Sequence, residues 1–572
     1  MGKKNIILGI NHGGHDTSSC IGVNGEIVYA SEQERFDGVK HSRNFPIDSI
    51  NDGLKKAQIK IQDIDEIVLT ANHHDIIRNQ YLKPALEDNE RIKFLINDIE
   101  KIKTFYNFKE NIRKILNFKK EITEFRHHLC HLASTYYPSG FNDALILSND
   151  GMGEYESGML GCGSRGRIKI LKNGPNYPNS LGLIYSAITY YLGWKNHCDE
   201  GIIMGLAPFG DYKKKINKSN LTYIDAFRDI IKDNSFLDYT INKKWISYHQ
   251  QRNTWVSEYF YKIFGKKRNY KDKIEDRHKN IASALQKRLE EVVLKDLFRA
   301  KKKYKFNKLC IAGGVGLNCS LNGKIEDSKI FKEIFVQPAS GDAGVALGAV
   351  YLAFARNNKN YLKVKPRIDH YLGSEFKKKE IKTVILKKKV KYLETNDIFN
   401  EGAKLLEKGK IIAWFQGSSE FGPRALGNRS ILCKPYPSKM KDYLNKRVKF
   451  RESFRPFAPA ILEDKCGEFF NIKQSSPHML IATTVKKNKK KMIPAVVHVD
   501  DTCRVQTVSE KSNLKFFKLI NSFYKLTKCP VVLNTSFNVK GQPIVNTPEE
   551  AIETFLNTRI DYLIIDNFII KK

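Results

Sequence analysis

The chain has 572 residues, of which 41% are hydrophobic and 28% are charged. This balance supplies enough apolar surface for packed cores, so it excludes globally disordered and fibrous proteins. The length predicts about four folding units of ordinary size, or two large ones. No apolar run approaches the ~18–20 residues of a membrane span, and the N-terminus lacks a signal-peptide pattern. We therefore expect a cytoplasmic protein that does not bind a membrane.

The formal net charge of +35 could indicate nucleic-acid binding or attraction of anionic substrates. The lysines are scattered in short runs and are not interleaved with the aromatic residues that a nucleic-acid site would need. We interpret the charge mainly as surface composition that also favours small anions, and we do not expect a nucleic-acid partner. The ten cysteines form no CxxC pair, so reduced thiols are expected.

Strands ending in glycine-rich loops dominate the first half of the chain. The first strand, predicted over 5–10, leads into NHGGHDTSS, and the hairpin CIGV-NG-EIVYA follows. A strand, a glycine-rich loop and a hairpin also begin actin-like ATPases and sugar kinases, whose loop amides contact phosphate. Residues 78–125 are predicted to be helical. The next helix carries HHLCH and is predicted to end at Pro138.

A strand, ALILSND, then runs into the turn 150–153, and residues 211–275 are interpreted as an insertion. A helix over 279–300 precedes strand KLCIA, and strand FVQP precedes ASGDAG and an apolar helix. The segment from Val364 to Gly373 is predicted to be a linker. Further strands include IIAWF, RVQTV and PVVLN. Alternating strands and helices predict two α/β domains.

Two histidines and two aspartates form a candidate metal site. His127 and His131 are four residues apart, hence on one helix face, while Asp150 ends a strand and Asp342 lies in a glycine-rich loop. Imidazole and carboxylate ligands suit iron, manganese or zinc. The alternative is that the histidines only pack beneath the sheet. His128 points off this face, so we do not expect it to be a ligand.

Loops at other strand ends could serve an acceptor or a nucleotide. His15 follows Gly13-Gly14, where an imidazole could deprotonate a hydroxyl or pair with phosphate, or could merely cap a turn. The loops 313–316 and 341–344 allow close approach of a nucleotide, although glycine also marks ordinary turns.

A basic cluster in the C-terminal part is suited to phosphate. A solvated basic face is the alternative, but Phe450, Phe454 and Phe457 are interleaved with the cations and favour a packed site. The cluster consists of Lys449, Arg451, Arg455 and Arg504, with Asn534 and Ser536 near the same strand ends.

These motifs together resemble one family. From end to end the chain is similar to the O-carbamoyltransferases of the NodU/CmcH type, which include the tobramycin carbamoyltransferase. The stretches that carry the resemblance are GGHDTSS, EQERFDGVKHSRNFP, HHLCHLAS, SNDGMGE, MGLAPFG, GGVGLN, QPASGDAG, FQGSSEFGPRALGNRS, FRESFRPFAP, RVQTV and LNTSFNVKGQPI.

The resemblance implies an actin/hexokinase-like ATP- and metal-binding domain, similar to TsaD, over 1–363. It implies a linker over 364–375 and a YrdC-like α/β domain over 376–572. The second domain would hydrolyse carbamoyl phosphate to carbamate, and the first would activate carbamate with ATP as carbamoyl adenylate. An acceptor hydroxyl on a small molecule, sugar or polysaccharide precursor would then receive the carbamoyl group.

Residue roles implied by the resemblance follow the matching motifs. The two histidines and two aspartates correspond to ligands of Fe(II), and His15 to the base for the acceptor hydroxyl. Lys40 and Arg424 are further catalytic candidates. The nucleotide candidates are Gly151, Gly153, Gly313, Gly314, Asn318, Glu420 and Arg429; Glu420, Arg424 and Arg429 would face a cleft between domains. The basic cluster would bind carbamoyl phosphate.

One position departs from the family pattern. Ile202 stands where the family often has a lysine before LAPYG, which removes a charge from the expected phosphate environment. Lys195 is a possible substitute. Two other functions stay open at this point: carbamoylation of tRNA adenosine, as in TsaD, and non-catalytic nucleotide-dependent regulation.

Overall fold

The computed structural model describes residues 5–87, 89–217, 219–251, 253–357, 365–367 and 369–572. The fold is α/β, as the sequence predicts, and its sheets are mixed. The predicted boundary between residues 363 and 364 lies outside the described residues, as do positions 364 and 368 of the predicted linker. Among the described residues, no helix combines the length and the apolar character needed to cross a bilayer.

Within the described parts of the chain, the strands form three large sheets and one small ribbon. In chain order they are β1 Ile6–Asn11, β2 Ser18–Val23, β3 Glu26–Glu32, β4 Glu66–Leu69, β5 Glu121–Glu124, β6 Asp143–Asn149, β7 Gly158–Ser164, β8 Arg167–Asn173, β9 Ile231–Ser235, β10 Asp238–Ile241, β11 Lys308–Ala312, β12 Glu333–Val336, β13 Tyr392–Glu394, β14 Ile412–Phe415, β15 Arg429–Cys433, β16 Ala458–Leu462, β17 Ile481–Thr484, β18 Thr502–Val508, β19 Val531–Ser536, β20 Tyr562–Ile565 and β21 Phe568–Lys571.

The helices lie mainly between these strands. They are α1 Glu34–Asp37, α2 Ile47–Ala57, α3 His73–Ile76, α4 Lys83–Glu87, α5 Ile92–Asn97, α6 Ile99–Tyr106, α7 Phe108–Leu116, α8 His127–Ser139, α9 Leu181–Tyr191, α10 Glu200–Leu206, α11 Tyr223–Ile230, α12 Glu258–Phe264, α13 Asp276–Tyr304, α14 Cys319–Asp327, α15 Val345–Asn357, α16 Lys378–Lys387, α17 Ile398–Glu407, α18 Lys439–Leu444, α19 Cys466–Phe469, α20 Leu514–Thr527 and α21 Pro548–Leu556.

Two five-stranded sheets share one strand order. The first runs β3-β2-β1-β4-β5 and the second runs β12-β11-β6-β7-β8. Counted from its own first strand, each sheet therefore reads 3-2-1-4-5. In both, the first and fourth strands are parallel, and so are the fourth and fifth. The carboxyl ends of parallel neighbours lie at one sheet edge, where α/β proteins gather ligands.

The chain divides into two compact units that are not contiguous in sequence. The first comprises Met1–His15, Cys20–Ile27 and Ile59–Pro366, and the second comprises Asp16–Ser19, Val28–Gln58 and Arg367–Lys572. In the second unit, the Arg35 guanidinium donates to the Gly422 carbonyl at 2.7 Å and Lys56 Nζ donates to the Gly373 carbonyl at 2.6 Å. A short N-terminal stretch thus belongs to the C-terminal unit.

The second unit is built on a nine-stranded mixed sheet of order β13-β21-β20-β14-β15-β19-β16-β18-β17. Its central strands β14, β15 and β19 run antiparallel, while β16 and β18 are parallel. The apolar residues of these strands are almost fully buried and form the core, as expected for strands covered on both faces.

Several predicted elements differ from the structure. The predicted hairpin is present, and Asn24 and Gly25 adopt φ of 52° and 88°. The helix carrying the two histidines continues through Pro138 and ends at Ser139, and Gly140, with a φ of 74°, forms a left-handed cap. The prediction of helical structure over 78–125 is confirmed as far as Leu116, where a π-helical turn is followed by the four short helices α4 to α7, and it is wrong at strand β5. All ten cysteines are free.

Candidate metal centre and anion pocket

Four side chains predicted from the sequence converge at one point of the first unit. His127 and His131 project from the first turns of α8, and their Nε2 atoms lie 3.1 Å apart. Asp150 Oδ2 is 2.9 Å from His131 Nε2 and 3.4 Å from His127 Nε2. Asp342 Oδ1 lies 3.6 and 3.7 Å from the same two nitrogens. The structure thus brings all four ligand atoms within 4.8 Å of one another.

The Asp150 carboxylate is oriented by backbone amides. Its Oδ1 accepts hydrogen bonds from Gly151 N at 2.7 Å and Gly314 N at 3.2 Å, which leaves Oδ2 directed at the histidines. The first of these amides follows β6 and the second follows β11, two parallel neighbours in the second sheet. The sheet therefore fixes which carboxylate oxygen faces the cluster.

The electrostatics of the cluster favour a positive charge between its members. Burial lowers the pKa of His127, but the hydrogen bond to Asp150 and the charges of Asp342 and Asp150 raise it to about 9. Burial raises the pKa of Asp150, yet its hydrogen bonds with His127 and His131 hold that pKa well below the ordinary value. A bound divalent cation would supply this positive charge while the imidazoles are neutral and the carboxylates are ionised.

His128 lies outside the cluster, as expected from its position off the helix face. It contacts the Ser148 hydroxyl at 2.9 Å and the Glu156 carbonyl at 2.8 Å, and burial lowers its pKa to about 3. Sequence reasoning missed Glu154, which is buried and accepts from the backbone N–H of His127 at 2.9 Å. A carboxylate at a helix start complements the helix dipole and fixes the first ligand.

His15 lies beside this cluster at the end of β1. Its Nε2 is 3.9 Å from Asp342 Oδ2, and about a third of its side chain is exposed. Its ring stacks on His197 at 5.7 Å between centroids. An accessible imidazole next to the cluster is suited to accept a proton from a substrate hydroxyl.

The predicted nucleotide loops are held close to the cluster. Gly313 has a φ of 86°, and a Cβ there would lie 2.2 Å from the Asn149 carbonyl oxygen. A Cβ at Gly314 would lie 2.9 Å from Asp150 Oδ1. At Gly153 a Cβ would lie 2.9 Å from the His128 ring. Larger residues at these positions would displace the turns next to the metal-ligand candidate Asp150. Packing therefore requires glycine there, in addition to any role in nucleotide binding.

Asn318 makes its hydrogen bonds within the protein. Its side chain accepts from Leu321 N at 3.0 Å, capping α14, and its amide nitrogen donates to Gln286 at 2.8 Å. Ile202, at the position of the family lysine, is buried in α10, while Lys195 is exposed. No charge therefore replaces that lysine at the buried position itself.

The second unit contains a dense group of cations around Lys449, the last residue of a π-helical turn over Asn445–Lys449. Such turns occur frequently at functional sites. The buried Lys449 ammonium donates to the Ser536 carbonyl at 2.8 Å and to Asn538 Oδ1 at 2.5 Å. Burial, followed by the charges of Arg451, Arg455 and Lys40, holds its pKa well below the ordinary value.

Two arginines extend this group. Arg451 lies over the Phe457 ring at 4.4 Å, and burial together with Arg455 and Arg504 holds its pKa well below the ordinary value. Arg504 projects from β18, and its buried Nε makes no hydrogen bond with the residues that the structure describes. A bound anion would relieve the repulsion between these cations and accept from the unused Arg504 Nε. We refer to Lys449, Arg451, Arg455 and Arg504 as the anion pocket.

Family models account for both units. The model of the carbamoyltransferase N-terminus matches residues 6–351, and that of the carbamoyltransferase C-terminus matches residues 403–572. The chain is a member of the carbamoyltransferase family. It is accordingly a carbamoyltransferase enzyme, with a carbamoyl donor and an acceptor as substrates.

Relatives cover nearly the whole chain. Nodulation protein NolNO of Sinorhizobium fredii is 34% identical over 98% of this chain and 79% of its own length. Nodulation protein NolO of Bradyrhizobium diazoefficiens is 37% identical over 78% of each chain. The uncharacterized protein sll1178 of Synechocystis is 34% identical over 99% and 96%. Component A of (R)-2-hydroxyglutaryl-CoA dehydratase from Acidaminococcus fermentans has a TM-score of 0.34 and 15% identity, over 62% of this chain and 98% of that chain.

Other site candidates of this carbamoyltransferase belong to the second unit. Asn534 is buried, and its amide donates to Gln506 at 2.8 Å. Lys40 acts on the pKa of Lys449, so the structure associates it with the anion pocket. Glu420 accepts from three backbone N–H groups of residues 426–429, and Arg429 is fully buried and donates to the Gln416 carbonyl at 2.7 Å.

These contacts give Glu420 and Arg429 a structural role in holding the loop 416–429. The pKa of Arg429 is lowered to about 10 by burial, in spite of the Glu420 charge. Arg424, in the same loop, is only half-buried. The nucleotide and catalytic roles implied for these three residues by the family resemblance stay predictions.

Proposed function

We propose that the chain is an ATP-dependent O-carbamoyltransferase with two reaction sites. At the first, carbamoyl phosphate and water give carbamate and phosphate. At the second, carbamate attacks the α-phosphorus of ATP, giving carbamoyl adenylate and pyrophosphate. An acceptor hydroxyl then attacks the carbamoyl carbon, the bond to AMP breaks, and the hydroxyl proton is transferred to a base.

The observation that carries the proposal is that each unit has its own charged site of matching chemistry. The first unit has the four-ligand cluster beside His15, and the second has the anion pocket. Arginine and lysine donors suit the phosphate of carbamoyl phosphate, while a cation-binding cluster suits the polyphosphate of ATP. The two sites thus match the two anionic substrates.

A divalent metal, for which Fe(II) is our proposal, fits the cluster of His127, His131, Asp150 and Asp342. Two imidazole nitrogens and two carboxylate oxygens at these separations form a mixed donor set typical of iron, manganese and zinc. A metal bound there supplies positive charge that offsets negative charge on phosphate oxygens.

The residues around the cluster then have distinct tasks. Glu154 and the backbone amides of Gly151 and Gly314 keep the ligands oriented. His15 is our proposed base: its Nε2 takes the acceptor proton while the new oxygen–carbon bond forms. The tight turn at Gly313 brings the backbone close to the same edge, which suits contact with the nucleotide.

We also propose an actin/hexokinase-like fold for the first unit and a YrdC-like fold for the second. Support for the former is the strand order 3-2-1-4-5, which the two five-stranded sheets share and which suits the duplicated ATPase fold that the family resemblance implies.

The test is a product assay on the purified chain with Fe(II) under anaerobic conditions. Incubation with ATP and carbamoyl phosphate is expected to release phosphate and pyrophosphate, and to release AMP once an acceptor is present. Incubation with ATP alone is the control. If pyrophosphate is not formed, or if ADP is formed instead, the adenylate mechanism is wrong.

A further inference from the structure

Glu290 is a half-buried carboxylate of α13 that none of the sites described so far uses. Its Oε1 accepts a hydrogen bond from Gln286 Nε2 at 2.8 Å, while its Oε2 accepts none from the residues that the structure describes. Burial raises the pKa of Glu290, in spite of the Gln286 hydrogen bond and the charges of Lys324 and Lys287. An acceptor oxygen left open in this way is suited to a ligand that donates hydrogen bonds.

The next residue of the helix shows how a glutamate is satisfied on this surface. Glu291 pairs with Arg228 at 2.9 Å and with Arg288 at 3.2 Å. Glu290 forms no ion pair with any residue that the structure describes. Because successive helical residues point about 100° apart, Glu290 faces a different neighbour from Glu291. That neighbour is the loop 313–318, which we predict to contact a nucleotide.

A network of hydrogen bonds connects Glu290 to this loop. Asn318 Nδ2 donates to Gln286 Oε1 at 2.8 Å, and Gln286 Nε2 donates to Asn318 Oδ1 at 3.1 Å. The Tyr185 hydroxyl donates to the same Gln286 Oε1 at 3.0 Å. The oxygen and the nitrogen of the Gln286 amide are therefore both engaged within the protein. The open acceptor of this network is Glu290 Oε2.

The other end of the loop lies at the candidate metal centre. Gly314 N donates to Asp150 Oδ1 at 3.2 Å. Residues Gly314–Leu317 form a 3₁₀ turn, whose rise of about 2 Å per residue carries the chain roughly 8 Å from Gly314 to Asn318. A nucleotide with its polyphosphate at the metal centre can therefore extend along this turn and bring its ribose to Glu290.

The chemistry of the open oxygen identifies the part of the nucleotide that it would bind. An ionised carboxylate is an acceptor only, and the 2′- and 3′-hydroxyls of a ribose are two donors on neighbouring carbons. Carboxylates bind ribose hydroxyls in this way in dinucleotide-binding folds. Phosphate and carbamate are anions, so Glu290 would repel them.

We propose that Glu290 binds the ribose of ATP by accepting hydrogen bonds from its 2′- and 3′-hydroxyls. The inference rests on the proposed ATP-dependent function. It makes Glu290 a specificity-determining residue that selects ribonucleotides. Gln286, which is held by Asn318 and Tyr185, is then a positioning residue that orients the Glu290 carboxylate.

The first experiment measures nucleotide binding by calorimetric titration of the purified chain with Fe(II) under anaerobic conditions. The ligands are ATP and 2′,3′-dideoxyATP, without carbamoyl phosphate. We expect the wild type to bind ATP at least tenfold more tightly, because the dideoxynucleotide leaves a charged acceptor without its donors. Glu290→Ala should bind both nucleotides alike, with the affinity of wild type for the dideoxynucleotide, which also shows that the variant is folded. Glu290→Gln, which keeps an acceptor oxygen without the charge, should retain part of the preference.

Glu291→Ala is the matched control. It removes the neighbouring carboxylate, which is paired with Arg228, and should keep the full preference of wild type for ATP. Equal affinity of wild type for the two nucleotides, absence of ATP binding, or an unchanged preference in Glu290→Ala would each overturn the inference.

The second experiment separates this inference from the proposed function. Pyrophosphate release from wild type with carbamoyl phosphate is measured with ATP and with the dideoxynucleotide, and we expect kcat/KM to be at least tenfold higher for ATP. If wild type prefers ATP in binding but releases no pyrophosphate, the proposed function is wrong and the ribose site stands. If pyrophosphate is released with equal kcat/KM from both nucleotides, the ribose site is wrong and the proposed function stands.

Discussion

At the scale of single residues, the two imidazoles of α8 provide the sharpest test of the candidate metal site. His131 is fully buried and lies 2.9 Å from Asp150, so it has no role toward solvent. We predict that His131→Ala binds less than one metal ion per chain. We also expect it to form adenylate ~10²–10³-fold more slowly, because charge stabilisation at the reacting phosphate is lost.

Mass-spectrometric metal analysis and pyrophosphate release test this prediction. His74→Ala, an exposed histidine outside the cluster, is the control and should keep both properties. Circular dichroism establishes whether each variant is folded. Full metal content in folded His131→Ala would contradict the assignment of the four ligands.

His15 makes a prediction that separates the two halves of the reaction. His15→Asn keeps a side chain of similar size that can still form hydrogen bonds, but it cannot act as a base. We expect adenylate formation to continue, while transfer to the acceptor falls ~10²–10⁴-fold because a weak alcohol nucleophile loses its general base. Rapid-quench assays of pyrophosphate and carbamoylated product measure the two steps. Loss of the first step with transfer from supplied adenylate intact would instead assign His15 to the nucleotide or metal site.

The sequence predicts part of this site for clear physical reasons. His127 and His131 could be found because helical spacing places residues four apart on one face, and Asp150 could be found because it ends a strand. Glu154 could not, because its contact with the backbone of His127 depends on the fold of the intervening turn. The structural role of Asn318 was equally hidden, since its partner Gln286 is distant in sequence.

At the scale of elements, α13 contains a buried carboxylate that opposes folding at neutral pH. Burial raises the pKa of Asp296 to about 6, helped by the nearby Asp233 charge, although Leu237 N donates to it at 2.9 Å. The folded state therefore prefers the protonated acid. The contribution of Asp296 to the free energy of unfolding is therefore most favourable below the unfolded-state pKa near 3.8. It is lost as the pH rises through 6.

We predict that Asp296→Asn, which imitates the protonated acid, stabilises the protein above pH 6 by about 1–3 kcal/mol. Below about pH 3, well under the unfolded-state pKa, the variant and the wild type should be equally stable, because both then carry a neutral group in the folded and unfolded states. Urea unfolding followed by circular dichroism at pH 7.5 and at about pH 3 measures the difference. Destabilisation at pH 7.5 would show that the carboxylate charge is used, for example by Arg299 at 3.5 Å.

Elements were predictable where their hydrophobic pattern was strong. The hairpin β2–β3 and the buried strand β11 follow directly from apolar runs and the Asn-Gly turn. Strand β5 was missed because it is short, half-exposed and at the edge of its sheet, so its Glu-Ile-Thr-Glu sequence continues the preceding polar pattern. The sequence could not reveal that the two sheets have the same strand order, because they share their topology but have no recognisable sequence repeat.

At the scale of the whole molecule, the chain assembles its units from segments far apart in sequence. Residues 28–58 fold with the C-terminal unit through buried contacts such as Glu32 with the Gly422 amide at 2.7 Å. Domain boundaries predicted from composition assume that each domain is one contiguous segment, so this arrangement could not be predicted. The consequence is that the charge of Lys40, in an N-terminal motif, acts on Lys449 of the anion pocket.

If the two proposed reactions take place at separate sites, supplying carbamate directly should bypass the anion pocket. Arg504→Ala removes a half-buried cation from the anion pocket, which costs about 1.5–3 kcal/mol of phosphate binding, so we expect production of carbamate from carbamoyl phosphate to fall at least tenfold. Adenylate formation does not require this residue, since the ATP-binding residues that we propose lie in the other unit. Ammonium carbamate, which supplies the intermediate chemically, should therefore restore pyrophosphate release in Arg504→Ala.

The same addition should leave His131→Ala inactive, because its defect lies after the carbamate step. Arg228→Ala, an exposed arginine of the first unit paired with Glu291 at 2.9 Å, controls for loss of a surface charge and should behave as wild type. Pyrophosphate is measured with and without carbamate for all three variants at fixed ATP. Restoration of Arg504→Ala alone would place carbamate between the two sites. If carbamate restores neither variant, or both of them, the assignment of the two reactions to the two units is wrong.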